Sequence, residues 1–232
     1  MIKVRKGSAR GRTLIDWLDS RHTFSFGDYY EPSQMGFRQL RVINEDRVGA
    51  GSGFATHSHR DMEIITYVLE GSLQHRDSLG NGSIIKPGDI QRMSAGTGIR
   101  HSEFNPSPSE SVHFLQIWIT PSVQGLPPSY EQRTFDLAAG AEKPLLLAGP
   151  QQSDGGAVLI HQDARIYLVK PSNRKSMSFE AVPGRQAWLQ VARGSIRLNG
   201  HLLEAGDGVA TDERPLEITT ADSAEALIFD LA

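Results

Sequence analysis

Met62-Glu63-Ile64-Ile65-Thr66-Tyr67-Val68-Leu69 is rich in β-branched and aromatic residues and apolar at both parities. That is the composition of a strand covered on both faces. Glu70-Gly71-Ser72 then turns the chain into residues 73–76, and Gly80-Asn81-Gly82 is a hairpin signal. Ser83-Ile84-Ile85 precedes the turn Lys86-Pro87-Gly88-Asp89, and Val112-His113-Phe114-Leu115-Gln116-Ile117-Trp118-Ile119 is a second strong strand. Short strands divided by glycine-containing turns predict an all-β chain, an antiparallel sandwich or barrel. The one helical candidate in this half is the short segment 13–18.

The texture repeats. Arg193-Gly194-Ser195-Ile196-Arg197-Leu198 echoes Glu70-Gly71-Ser72-Leu73-Gln74-His75, and Leu203-Glu204-Ala205-Gly206-Asp207 echoes Ile85-Lys86-Pro87-Gly88-Asp89, about 120 residues apart. Between them, residues 120–129 hold Pro121, Gly125, Pro127 and Pro128 and no charge. The expectation is a duplicated β-barrel, with one domain over residues 1–125 and a second over 126–232.

Composition removes several function classes. Lys and Arg number 24 against 27 Asp and Glu, a net charge of -3, so no overall positive field draws the chain onto nucleic acid. The basic residues Lys3, Arg5, Lys6, Arg10 and Arg12 alternate with Ile2, Val4 and Ser8, which suits a solvated edge strand better than a binding arm. No apolar run reaches the roughly 18 residues of a membrane span. No apolar stretch follows the basic cluster as in a secretory signal, so a cytoplasmic location is expected. The absence of cysteine excludes disulfides, iron–sulfur clusters, thiolate zinc sites and cysteine nucleophiles. Any redox-active metal must sit on His, Asp, Glu or water.

Two triplets carry metal chemistry: His57-Ser58-His59 and His101-Ser102-Glu103. Residues i and i+2 of a strand share a face, so each triplet aims two ligand types the same way. Side by side, two such strands converge three imidazoles and a carboxylate. Neutral imidazole suits iron, copper, nickel or zinc, and one carboxylate offsets part of a divalent charge. Four protein ligands in an octahedron leave two positions for water, substrate or dioxygen.

Gly51-(x5)-His57-x-His59-(x3)-Glu63 resembles the first motif of the cupin superfamily, and Gly98-x-x-His101-(x3)-Asn105 the end of the second. The run from Pro87-Gly88-Asp89 through Gly96-Thr97-Gly98-Ile99-Arg100-His101-Ser102-Glu103 resembles the pirin family more specifically. So do His22-Thr23-Phe24-Ser25-Phe26, Met35-Gly36-Phe37 and Leu40-Arg41-Val42-Ile43-Asn44. The texture is similar to bacterial pirin-like proteins assigned as quercetin 2,3-dioxygenases. The resemblance implies a bicupin of two stacked antiparallel barrels with few short helices. It implies one divalent metal in the N-terminal barrel, on His57, His59, His101 and Glu103. Iron(II) is the expected ion, and nickel, copper, zinc and manganese fit the same ligands. Gly71 comes one residue later than in the general cupin pattern, and the second motif opens Pro87-Gly88 rather than Pro-x-Gly. Glu63 shares parity with His57 and His59 and is the carboxylate ligand of many cupins. Pirins use the later glutamate, which leaves Glu63 as a partner behind the ligands or a solvated acid.

Three activities follow as expectations. The first is ring opening of a flavonol by dioxygen with loss of carbon monoxide, Glu103 being the candidate base. The second is a non-catalytic, iron-dependent regulator that binds a protein partner. The third is a cupin isomerase or sugar-modifying enzyme, for which only Arg92 and Arg100 flank the site. A monomer is expected. The second copy places Glu180, Val182 and Thr219 at the positions corresponding to His57, His59 and His101, so it is expected to hold no metal. His161 and His201 read as isolated surface or loop histidines. His113 reads as a hydrogen-bonded core residue, His22 as a packing residue, and His75 with Asp77 as either partners behind the ligands or an exposed pair. Ser94-Ala95-Gly96-Thr97-Gly98 lacks the lysine and helix of a phosphate loop. Its glycines read as allowing close approach to the metal strand.

Overall fold

The computed structural model describes residues 1–151, 156–172 and 176–232. Among them the only helical elements are two 3₁₀ turns, Gly7–Ala9 and Leu137–Ala141, and the rest of the regular structure is strand. The chain forms two compact units: residues 11–135 with 158–162, and residues 1–10 with 136–157 and 163–232.

In the first unit one sheet runs Ser129–Thr134, Asp89–Ser94, Glu63–Glu70, Val112–Ile119, Leu40–Val48, Leu18–His22 and Gly11–Ile15, all antiparallel neighbours. The other runs Gly53–His59, Ile99–Phe104, Leu73–Asp77 and Gly82–Ile85. Glu63–Glu70 is buried along nearly its whole length, as its apolar reading at both parities requires. Leu18, Val48, Val68, Leu73, Ile85, Val112 and Phe114 pack into one core cluster, and Ile64, Met93, Ala95 and Ile99 into another. The hairpin after Asp77 is closed by that residue's carboxylate, which accepts from the backbone N–H of Leu79 and Asn81.

Segment 13–18 is not helical. It belongs to the hairpin Gly11–Ile15 and Leu18–His22, whose second strand pairs with Leu40–Val48. A lone short helix would leave its terminal backbone groups unpaired, whereas the sheet pairs one side of Gly11–Ile15 and both sides of Leu18–His22.

The second unit repeats the strand order of the first. Gly208–Thr211, Gln186–Arg193, Glu225–Leu231 and Ala164–Val169 neighbour one another in its larger sheet, and Ser176–Phe179, Leu216–Thr219, Ser195–Leu198 and His201–Glu204 form the smaller. Gly71 and Gly194 occupy equivalent turns at φ +72° and +69°, where a Cβ would meet the carbonyls of Ser111 and Ser223 at 2.8 and 2.5 Å. The positive φ of the turn and the close backbone approach both demand glycine at the two places. Ile2–Arg5 is an edge strand on Gly208–Thr211, and Ser129–Thr134 occupies the corresponding edge on Asp89–Ser94. Each edge is thus supplied by the other half of the sequence. Strand pairing, not the proline-rich composition of residues 120–129, sets where the compact units divide.

Candidate metal centre

His57 and His101 are direct partners in the antiparallel pairing of Gly53–His59 with Ile99–Phe104. The adjacent strands converge the imidazoles of His57, His59 and His101, whose ligand nitrogens all lie within 4.8 Å of one another. His101 Nε2 stands 3.0 Å from His59 Nε2 and 3.1 Å from His57 Nε2. Nitrogens sharing one ion at about 2.1 Å and at right angles lie about 3.0 Å apart, so this donor set fits a divalent transition metal.

The hydrogen bonds behind the ligands turn the bare nitrogens inward. His57 Nδ1–H donates to the Ala55 carbonyl at 2.8 Å. Behind His101 runs a relay in which His75 Nε2–H donates to Asp77 at 3.0 Å and His75 Nδ1 faces His101 Nδ1 at 3.5 Å. With its Nε2 proton held by Asp77, His75 accepts at Nδ1 and leaves His101 Nε2 free for the ion. His75 and Asp77 are therefore buried partners of a ligand and not an exposed pair. Burial drives the His101 pKa down to about 2, with the neighbouring imidazoles adding to it, and the His59 pKa down to about 4, with His57 adding to it. Both are neutral bases throughout the physiological range. Replacing His75 by alanine is expected to weaken metal binding about 10–100-fold, read by competition with a chromophoric chelator. Unchanged affinity would show that the relay does not orient His101.

Glu103 lies on the same cavity wall but outside the three-histidine cluster. A bulge between His101 and Glu103 places Glu103 opposite Phe54, shifting the parity of the partner strand. The Gln116 amide grips its carboxylate at 2.9 and 3.0 Å, and Thr66 Oγ donates to the Gln116 carbonyl at 3.2 Å. Burial raises the Glu103 pKa to about 7 against the opposing bond from Gln116. Below that pH Glu103 must release a proton before it can ligate an ion. Metal affinity should accordingly fall about tenfold per pH unit below 7 in the parent relative to Glu103→Gln. Parallel pH profiles would remove Glu103 from the ligand set.

His57, His59 and Glu103 open onto a cavity of about 270 Å3 walled by Leu18, Phe26, Phe54 and Trp118 on the apolar side and by Thr13, Ser20, His22, Asn44, Asp46 and Gln116 on the polar side. Trp118 meets His59 edge-on at 5.0 Å and Phe26 at 5.3 Å. His22 is more than packing: it bonds Thr13 at 2.9 Å and Asn44 at 2.8 Å and stacks on Phe26. His113 is a core residue bonded to Glu45 at 2.9 Å. Gln116 carries a sequence signal, a polar side chain in a largely apolar strand, whereas Asp46 lies on a strand of mixed character, and only the fold aims both at this cavity.

Glu63 is neither a ligand nor solvated. It is 1% exposed, accepts from Ser94 Oγ at 2.9 Å and faces His161, which is consequently not isolated. Arg92 is buried and committed to the Leu159 carbonyl, Ser94, Ser129 and Glu131, so it is not available to a sugar phosphate. Gly96 makes its close approach to the Leu126 carbonyl, 1.9 Å from where a Cβ would stand, and not to the metal strand.

Residues 3–119 match the Pirin family model, and residues 146–231 match the quercetinase C-terminal cupin domain. The chain belongs to the pirin family. The two matches account for the repeated strand order, and the fold of this pirin is a bicupin. It is 46% identical, over all of its length and 99% of the relative, to the quercetin 2,3-dioxygenase of Escherichia coli K12. The crystal structure of the bacterial pirin YhhW from Escherichia coli in complex with nickel(II) superimposes with a TM-score of 0.94 at 45% identity, covering 100% of this pirin and 99% of that chain. A quercetin 2,3-dioxygenase from Acinetobacter baumannii shares the fold at 19% identity and a TM-score of 0.75, over 95% of this pirin and 83% of that chain.

Proposed function

We propose that this pirin is a metal-dependent dioxygenase that opens the heterocyclic ring of quercetin-like flavonols, consuming one dioxygen and releasing one carbon monoxide. The observation that carries this is a cluster of three convergent imidazoles, two of which, His57 and His59, line an aromatic-walled cavity with Glu103, in a chain nearly half identical to a protein named for that reaction. The single metal is held by His57, His59, His101 and Glu103 in the unit of residues 11–135 with 158–162. The other unit, residues 1–10 with 136–157 and 163–232, carries none. The native ion is iron(II), and the protein works in the cytoplasm as a monomer.

The bound ion supplies Lewis acidity and a redox relay between an electron-rich enolate and dioxygen. The residues do the rest. Glu103, poised near neutral pH, takes the proton of the flavonol 3-hydroxyl, and Gln116 fixes the carboxylate that receives it. Phe26, Phe54, Trp118 and Leu18 sandwich the flat ring system and exclude water from the reacting carbons.

Ferrous-loaded protein mixed with quercetin should take up oxygen and release carbon monoxide in equal amounts, and chelated protein should do neither. Iron bound without turnover would overturn the proposal. A protein partner whose affinity then followed the iron's oxidation state would make the chain a regulator instead.

A further inference from the structure

Asp46 sits on Leu40–Val48 with its side chain on the inner face, opposite Phe114 on one neighbouring strand and Ser20 on the other. It is 4% exposed and lines the cavity that also holds His57, His59 and Glu103. Ser20 hydrogen-bonds its carboxyl group, and the charges that reach it, those of Glu45 and Glu103, are also acidic. Among the described residues, Asp46 Oδ1 is the only enclosed carboxylate oxygen with no hydrogen-bond partner.

The contrast with the other buried acids is sharp. Asp89 takes Lys86 N–H and the Thr134 hydroxyl, Asp207 takes Lys6 and Gly7 N–H, and Asp230 takes Arg185. Each of those acids organises structure. Asp46 has only the Ser20 hydroxyl, and a buried carboxyl group with an unused oxygen is destabilising where an apolar side chain of similar size would not be. A residue kept at such a cost beside an open cavity is placed for what enters it. Trp118, on the same cavity, likewise keeps an enclosed and unpartnered Nε1–H. Both side chains border the cavity, but the unpartnered atoms themselves are enclosed.

We propose that Asp46 is the substrate-reading residue of this site: its carboxyl group accepts a hydroxyl of the bound aromatic, restricting the cavity to hydroxylated ring systems. This rests on the flavonol reading above and deepens it. A partial turn about the soft Cβ–Cγ torsion brings the unpartnered oxygen to the cavity side, and the group accepts a hydroxyl whether ionised or neutral. The ligand class is an aromatic carrying a hydroxyl.

The test compares quercetin with flavone, which has the same ring skeleton and no hydroxyl. Binding is followed by tryptophan quenching in ferrous-loaded protein under nitrogen, so that no turnover intervenes. Asp46→Leu should weaken quercetin about 10–100-fold and leave flavone as in the parent. Asp46→Asn, which keeps a carbonyl acceptor, should stay within about tenfold of the parent. Metal content should be the same in all three, and the leucine variant should melt above the parent because an unpaired buried acid is gone. Unaltered quercetin affinity in Asp46→Leu, or an equal loss for both ligands, overturns the role of Asp46. If quercetin also fails to bind the parent, the flavonol reading falls with it, whereas oxygen uptake with unaltered affinity in Asp46→Leu overturns the role of Asp46 alone.

Discussion

Replacing His101 by alanine is expected to yield a folded protein that retains no metal through dialysis. His101 is the imidazole whose Nε2 faces both His59 and His57, at 3.0 and 3.1 Å. Without it the two remaining imidazoles and Glu103 have no central ligand, so the loss should exceed the about 10–100-fold typical of removing a group one bond further out. The fold should survive because the neighbouring strands are held by backbone pairing on both sides of Ile99–Phe104. Elemental analysis after dialysis, with far-ultraviolet circular dichroism as the control, reads the result. Full metal retention would remove His101 from the ligand set. Glu63→Gln provides the counterpart: its carboxylate is spent on Ser94 and His161, so metal content should not change.

Gly53→Ala should be the more damaging change to the fold. A Cβ at Gly53 would stand 2.2 Å from the Glu103 carbonyl oxygen and 2.6 Å from Phe104 Cα. Both are backbone atoms of the paired strand, so relief requires moving Gly53–His59 away from Ile99–Phe104, the two strands that carry all three imidazoles. A loss of about 3 kcal/mol is expected, read by urea denaturation, with metal affinity falling alongside it. Gly82→Ala is the control. Its nearest neighbour would be the His75 carbonyl at 4.0 Å, so the change should stay within about 0.5 kcal/mol. Equal stability of the two variants would mean that the close approach at Gly53 is not what sets the strand register.

Much of the site was legible because strand parity is local. His57 with His59 and His101 with Glu103 each share a face whatever the rest of the chain does, and the turns at Gly71 and at Gly80-Asn81-Gly82 mark the strand ends around them. The misreadings share another origin. Segment 13–18 is short enough to satisfy either period, and only Leu40–Val48 beside it makes the strand. Parity assigned Glu63 to the ligand face, yet its carboxylate is paired with Ser94 and His161, the latter 98 residues away.

The sequence by itself determined the all-β class, the duplication and the histidine triplets, since residue type, turn chemistry and the two-residue period of a strand are properties of neighbours along the chain. The tertiary structure alone decided which strands lie side by side and where the bulge at His101 and Glu103 offsets them. It also decided that His75 stands behind His101, that Gln116 grips Glu103, and that Asp46 faces the cavity. Those outcomes depend on backbone pairing and close packing between residues far apart in sequence, where a shift of one residue exchanges the two faces of a sheet.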